Sequence, residues 1–249
     1  MKHKKVVIAG VALFVLVMLG GGLFMNKNSG DWSERHREDI EENVRNYVER
    51  YKLDPEKVEI ERIHNPKKYP TGEEEFMVYI YYHGEPYFSM SLTGDPKSLS
   101  IYDRNDYIVV KVFNELYLQA RYEEFKPAIE YLDNLNVQDP LRPTENKVRF
   151  LQTSVGLASE INESLKKAYY SEDDLTGLKK YINENLEIIS ELDRVEIIGN
   201  IEGLKEERID EISKDLKQIL PSSDYYLQIG EKNLATGESQ GIFEYITIE

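Results

Sequence analysis

The sequence predicts an α+β protein: an N-terminal transmembrane helix followed by an antiparallel-sheet domain with covering helices. Three observations predict it. Residues 6–25 read VVIAGVALFVLVMLGGGLFM, twenty residues without a charge. Residues 58–102 hold short β-branched and aromatic segments separated by Gly and Pro turns. Residues 106–122 and 206–220 carry apolar side chains at spacings of three and four, the period of a helix buried on one side.

The apolar run comes first. At ~1.5 Å per residue it is about 30 Å long as a helix, which matches a bilayer core. Val6, Val7, Ile8, Val11, Leu13, Phe14, Val15, Leu16, Val17, Leu19, Leu23 and Phe24 favour the membrane and outweigh Gly10 and Gly20–Gly22. Lys2, Lys4 and Lys5 stand directly before it. The positive-inside rule makes residues 1–5 a cytoplasmic tail and 6–25 a signal anchor. The expected location is the cell membrane, single-pass, with the C-terminal part outside. The rival is a cleaved signal peptide with Gly20 and Gly22 before Leu23 as its cleavage site. Against it, the apolar run resumes with Leu23-Phe24-Met25. Residues 26–31 form a short polar linker, and 32–249 the extracytoplasmic α+β domain.

Bulk properties narrow the function. The formal charge is −15; without Lys2, Lys4 and Lys5 the rest has 28 Lys and Arg against 46 Asp and Glu, a net −18. Nucleic acid is the wrong partner for that sign. Anionic lipid is disfavoured as a docking surface too. There is no cysteine. That removes disulfides, thiol catalysis, cysteine-ligated zinc and lipidation. An exported chain without cysteine fits a Gram-positive envelope.

The elements follow in order. Ile40, Val44, Tyr47, Val48 and Tyr51 line one face of a helix predicted over 33–52, with Asp31 and Glu34 as its capping box. Val58–Ile63 is a strand, and 65–72 a loop. Glu75–Tyr82 alternates Phe76, Val78, Ile80 and Tyr82 with Met77, Tyr79 and Tyr81. Both sets are apolar or aromatic, so this strand is predicted central and covered on both faces. A turn at 83–86 leads back through Tyr87–Thr93, and Leu99–Tyr102 closes an antiparallel meander. A helix over 106–122 covers it. Pro127 is expected to open a shorter helix. Pro140 and Pro143 mark 137–144 as the candidate boundary between halves 32–136 and 144–249.

The second half is less regular. Residues 148–155 read as a strand or an early helix. Residues 157–170 are helical, and Ser171 is the expected cap of another helix over 172–188. Val195–Ile198 is a short strand. Glu206–Leu220 is a helix stopped by Pro221. Tyr225–Ile229 and Ile242–Ile248 form a closing pair.

Gly84-Glu85-Pro86-Tyr87-Phe88 at the hairpin, Ala120-Arg121-Tyr122-Glu123-Glu124-Phe125 at a helix end, and Asp224-Tyr225-Tyr226-Leu227 after the last helix carry a resemblance. On these the chain resembles a family of predicted lipoproteins of unknown function from Gram-positive bacteria, over most of 32–249. The resemblance implies an envelope location and no activity. The family's lipidated cysteine is missing, so the apolar helix would replace the lipid as tether. Residues 33–102 also resemble, in layout alone, exported peptidase-propeptide-like modules and cystatin-like folds.

Chemistry is sparse. No GxSxG, SxxK, HExxH, EF-hand, GxGxxG or Walker A pattern is present, so nucleophile, metal and nucleotide sites have no motif. No cofactor is expected. His64 and His83 flank the central strand and could approach each other, with Glu73–Glu75 or Glu85 beside them; two loop histidines at strand ends is the plainer reading. The acid runs Glu73–Glu75 and Glu172–Asp174 read as solvated turns or helix starts rather than calcium sites. Carboxylates are too many for any pair to single itself out as a hydrolase centre. The informative cluster is aromatic. Seven of the eighteen tyrosines fall within residues 69–107. A tyrosine has an apolar ring and a polar tip, which suits a sugar or a peptide. Strands also favour tyrosine for packing alone. Tyr79, Tyr81 and Tyr87, with Glu85 on the adjoining turn, are the candidate ligand-binding residues. A non-enzymatic binding domain for an envelope protein or wall component is the reading preferred here. A regulator or inhibitor of an exported peptidase, and an envelope hydrolase, are the alternatives.

Overall fold

The computed structural model describes residues 30–248 except 104–105, 204–205 and 233–238. The predicted tail, the transmembrane run 6–25 and most of the linker lie outside the described residues. Among the described residues no helix is long and apolar enough to cross a membrane.

The chain folds into two sheets with helices between and around them. The first half gives α1 (Gly30–Arg35), α2 (Arg37–Arg50), β1 (Val58–Ile63), β2 (Lys67–Lys68), β3 (Glu74–Tyr82), β4 (Phe88–Gly94), β5 (Ile101–Tyr102), α3 (Tyr107–Ala120) and α4 (Tyr122–Asn134). The second gives β6 (Leu151–Gln152), α5 (Ser159–Tyr169), α6 (Thr176–Glu184), α7 (Leu186–Leu192), β7 (Arg194–Asn200), α8 (Glu206–Ile219), β8 (Ser223–Lys232) and β9 (Ser239–Ile248).

The first sheet has the order β1-β3-β4-β5, with β2 beside β3, and every pairing is antiparallel. The expected meander is there. The second has the order β6-β7-β8-β9. Its β7–β8 pair is parallel, and the β6–β7 and β8–β9 pairs are antiparallel. The antiparallel expectation is therefore corrected to a mixed sheet. The cause is α8, which carries the chain back across the sheet so that β8 starts at the same end as β7.

Helix α3 is the hub. Ten of its residues, Ile108–Val110 and Val112–Leu118, are buried, so it lacks the solvent face of an ordinary surface helix. It packs on β4, β6, α5 and α6. Buried Asn114 on α3 donates to Thr153 O (3.0 Å) and accepts from Gly156 N (2.9 Å), which satisfies turn backbone from the second half. A Cβ on Gly156 would lie 2.8 Å from Phe113 and from Asn114 Oδ1, so this approach needs glycine. Buried side chains from both halves form one continuous cluster.

Several local expectations are corrected. Helix 33–52 is two helices with a break at His36 (φ −110°, ψ 7°), and Asp31 lies inside α1, so it is no cap. Gly30 and Asp31, expected in the linker, lie in α1. Strand β3 is central, but its two faces are unequal, one buried and the other only half-covered. Phe76, Val78, Ile80 and Tyr82 are buried; Met77, Tyr79 and Tyr81 are half-buried. Leu99 has φ +58°, outside the β region, and so the fourth strand begins at Ile101. Pro127 sits in the second turn of α4, where burial of Phe125, Ala128, Ile129 and Leu132 outweighs one lost backbone bond. Ser171 does not cap. Its hydroxyl donates back to Ala168 O at the end of α5, and the next helix starts at Thr176 and breaks at Asn185.

Candidate functional site

The register of β1, β3 and β4 builds the site. Side chains alternate along a strand, so Tyr79 and Tyr81 share the face opposite Phe76, Val78 and Ile80. Pairing sets Glu59 across from Tyr81 on one side and Ser89 on the other. Arg62 and Ser91 flank Tyr79 in the same way. A bulge between Ile60 and Arg62 inserts Glu61. The outcome is an outward sheet surface with an aromatic centre and charged borders.

The rings are in register with one another. Tyr81 and Tyr87 stack with centroids 6.5 Å apart and planes 23° apart. His83 meets Tyr87 edge-on at 5.7 Å and lies 6.3 Å from Tyr81. His83 Nε2 is 2.7 Å from Glu59 Oε2. His64 packs edge-on against Tyr79 at 5.3 Å. Burial, then the Glu61 and Glu59 carboxylates, push the Tyr81 hydroxyl up. Burial and the Tyr81 hydroxyl push Tyr87 up to about 12, against the pull of Arg142. Both phenols are therefore neutral donors at physiological pH.

Of the four candidate residues, Tyr81 and Tyr87 are in ring contact, and Tyr79 lies two positions along the same face of β3 beside His64. Glu85 does not join them: it is exposed on the turn and bonds to none of the rings. Glu59 and Glu61 supply the carboxylates instead. The alternation of Val58-Glu59-Ile60 was the available signal, since an outward Glu59 faces its β3 neighbour whichever register forms. The suggested approach of His64 and His83 is overturned. His64 N bonds to Met77 O, whereas His83 N bonds to Lys57 O. Met77 and His83 are six positions apart along β3, roughly 20 Å at ~3.3 Å per residue. Among the described residues no group of three or more His, Asp or Glu can hold a metal ion.

A second polar cluster is buried and was not foreseen. The Asp193 side chain is fully buried, with Thr153 Oγ1 donating to it and Arg121 Nη1 at 3.8 Å. Arg121 also donates to Tyr117 (2.8 Å) and to Glu124 (2.8 and 2.9 Å). Burial raises the Asp193 carboxyl despite these partners. The cluster ties α3, α4, β6 and the start of β7 together.

These features define a two-sheet α+β domain with a tyrosine-rich outer surface. No protein-family model matches the chain, and no curated protein matches it. Among solved structures it is similar to a DUF1672 family protein from Staphylococcus aureus subsp. aureus Mu50. Identity is 13%, the match covers 88% of this chain and 89% of that one, and the TM-score is 0.53. At that identity the likeness shows the fold alone. The neighbour belongs to an uncharacterised family of a Gram-positive bacterium, in agreement with that part of the sequence resemblance. It carries nothing about lipidation.

Proposed function

We propose that the chain is a membrane-tethered, non-enzymatic binding protein of a Gram-positive envelope, and that the outward face of β3 and β4 is its recognition surface. The stacked pair of Tyr81 and Tyr87 beside His83 and Glu59 carries this reading. Two neutral phenols with polar tips, held on a rigid sheet, offer a platform for a sugar ring or a peptide. Carboxylates on the border supply acceptors for hydroxyl or amide groups. The net charge of −18 beyond the basic tail supports a partner other than nucleic acid or nucleotide.

The test uses the full chain in detergent micelles, titrated with soluble muropeptides and with solubilised envelope proteins. Binding that falls at least tenfold in Tyr81→Ala and Tyr87→Ala is the expected result. Equal binding by the variants and the native chain overturns the assignment of the face. The tether is tested by the intact mass of membrane-extracted protein and by protease on whole protoplasts, which should remove the domain.

The helix-plus-meander layout of α2 and β1–β5 supports a second reading, occupation of an exported peptidase. Deletion of residues 33–102 should then raise envelope proteolysis.

A further inference from the structure

We propose that the groove between α8 and the free edge of β9 is a second binding site, and that it takes an extended segment of a partner polypeptide as an added β-strand. Strand β9 ends the second sheet and pairs only with β8 among the described residues. It is ten residues long and contains no Lys, Arg or Pro. Its one charge, Glu244, is turned to Ser213 and Lys217 of α8. Phe243 and Tyr245 stand out from it, 53% and 48% exposed. The edge is therefore long and its one charge is already paired with α8, which leaves its backbone groups as a template for strand addition.

A groove runs beside it. One stripe of α8 (Ile209, Asp210, Ser213, Lys214, Lys217 and Gln218) faces Gly241–Glu244 across a cleft of about 590 Å³. Lys217 and Ser213 are committed to Glu244. The Asp210 and Lys214 side chains have no ion pair or hydrogen bond among the described residues. They are one helical turn apart, ~6 Å at 1.5 Å per residue. Alternate side chains of a strand are ~6.7 Å apart. The groove thus matches a strand whose cationic and acidic side chains stand two positions apart, one for Asp210 and one for Lys214. A second copy of this chain fits less well. Two-fold pairing through β9 would bring together two domains that each carry a net −18 beyond the basic tail.

The probe is a fluorescein-labelled peptide, Thr-Val-Lys-Val-Glu-Val-Thr-Val-Thr, added to the full chain in detergent micelles. Anisotropy should show binding, and hydrogen exchange should slow at 241–247. The double variant Asp210→Asn with Lys214→Gln should weaken it about tenfold, as for two exposed ion pairs. Affinity for a peptide with Thr in place of Lys and Glu should not change in that variant. Tyr81→Ala should leave all of this unaltered, which separates the groove from the tyrosine face. The proposal is overturned by absence of binding, by protection on β3 and β4 instead, by equal affinity in the double variant, or by β9 protection that grows with protein concentration alone.

Discussion

Arg142 Nη2 lies 2.8 and 2.9 Å from the two carboxylate oxygens of Glu115, inside the seam between the halves of the chain. The two side chains are 4% and 3% exposed. Lys111 Nζ is 3.3 Å from the same carboxylate. Two cations thus share one buried anion, and burial pulls the Lys111 ammonium down despite Glu115. Arg142 comes from the connection at 137–144 and Glu115 from the hub helix, so the pair fixes how the second half sits on α3.

Glu115→Ala leaves buried Arg142 and half-buried Lys111 without that counter-charge. The expected loss is ~3–5 kcal/mol of folding stability. Replacing Glu115 and Arg142 together by Met should cost clearly less. Urea unfolding followed by the fluorescence of Trp32, which packs 5.2 Å from Phe76, measures both. Equal losses in the single and double variants would refute the pairing.

Asp193 gives the chain a pH response. Its folded carboxyl is raised, by burial first. The native state then holds a proton that the unfolded state has already released. The contribution of Asp193 to stability is therefore fully present below the ordinary carboxylate range and is lost as pH rises from about 4 through the raised native value. Asp193→Asn should flatten this limb of the stability–pH curve. An unchanged slope would place the response elsewhere.

The two faces of β3 should respond differently to truncation. Phe76→Ala removes a fully buried ring and should cost ~3–5 kcal/mol. Tyr81→Ala on the outward face loses a cross-strand contact worth about 1 kcal/mol. A loss of comparable size at both sites would mean that something covers the outer face.

Lys52 clamps the end of α5. Its ammonium donates to Tyr169 O and Glu172 O and lies 5.1 Å from the centre of the Tyr169 ring. A cation at a helix C-terminus contributes ~0.3–2 kcal/mol. Its backbone is left-handed, with φ +59°. Lys52→Ala loses the charge and keeps the backbone strain, so it should be less stable than Lys52→Gly, which loses the charge and relieves the strain. Denaturant midpoints in the reverse order would contradict this account.

Local patterns were read where neighbours along the chain decide the outcome. The stripe Ile40, Val44, Tyr47 and Val48 marks α2, the alternation in Phe76–Tyr82 marks β3, and the turn at 83–86 marks its return into β4. Tyr79, Tyr81 and Tyr87 were picked from composition and strand period, and the structure brings them onto one surface. The mistakes fall where distant groups compete. Pro127 looked like a helix start until the burial of its helix outweighed one backbone bond. Ser171 looked like a cap until its hydroxyl turned back to Ala168 O.

By itself the sequence determined the α+β class, the places of the long helices and the first meander, and the acidic surface, because spacings of two, three and four and a charge sum need no knowledge of the fold. Only the tertiary structure decided that β7 and β8 run parallel, that α3 is buried on all sides, that Glu59 rather than Glu85 joins the tyrosines, and that Asp210 and Lys214 line the cleft beside β9. Those relations join residues far apart in the chain. Their pairing follows from shared burial and register, which no local pattern encodes.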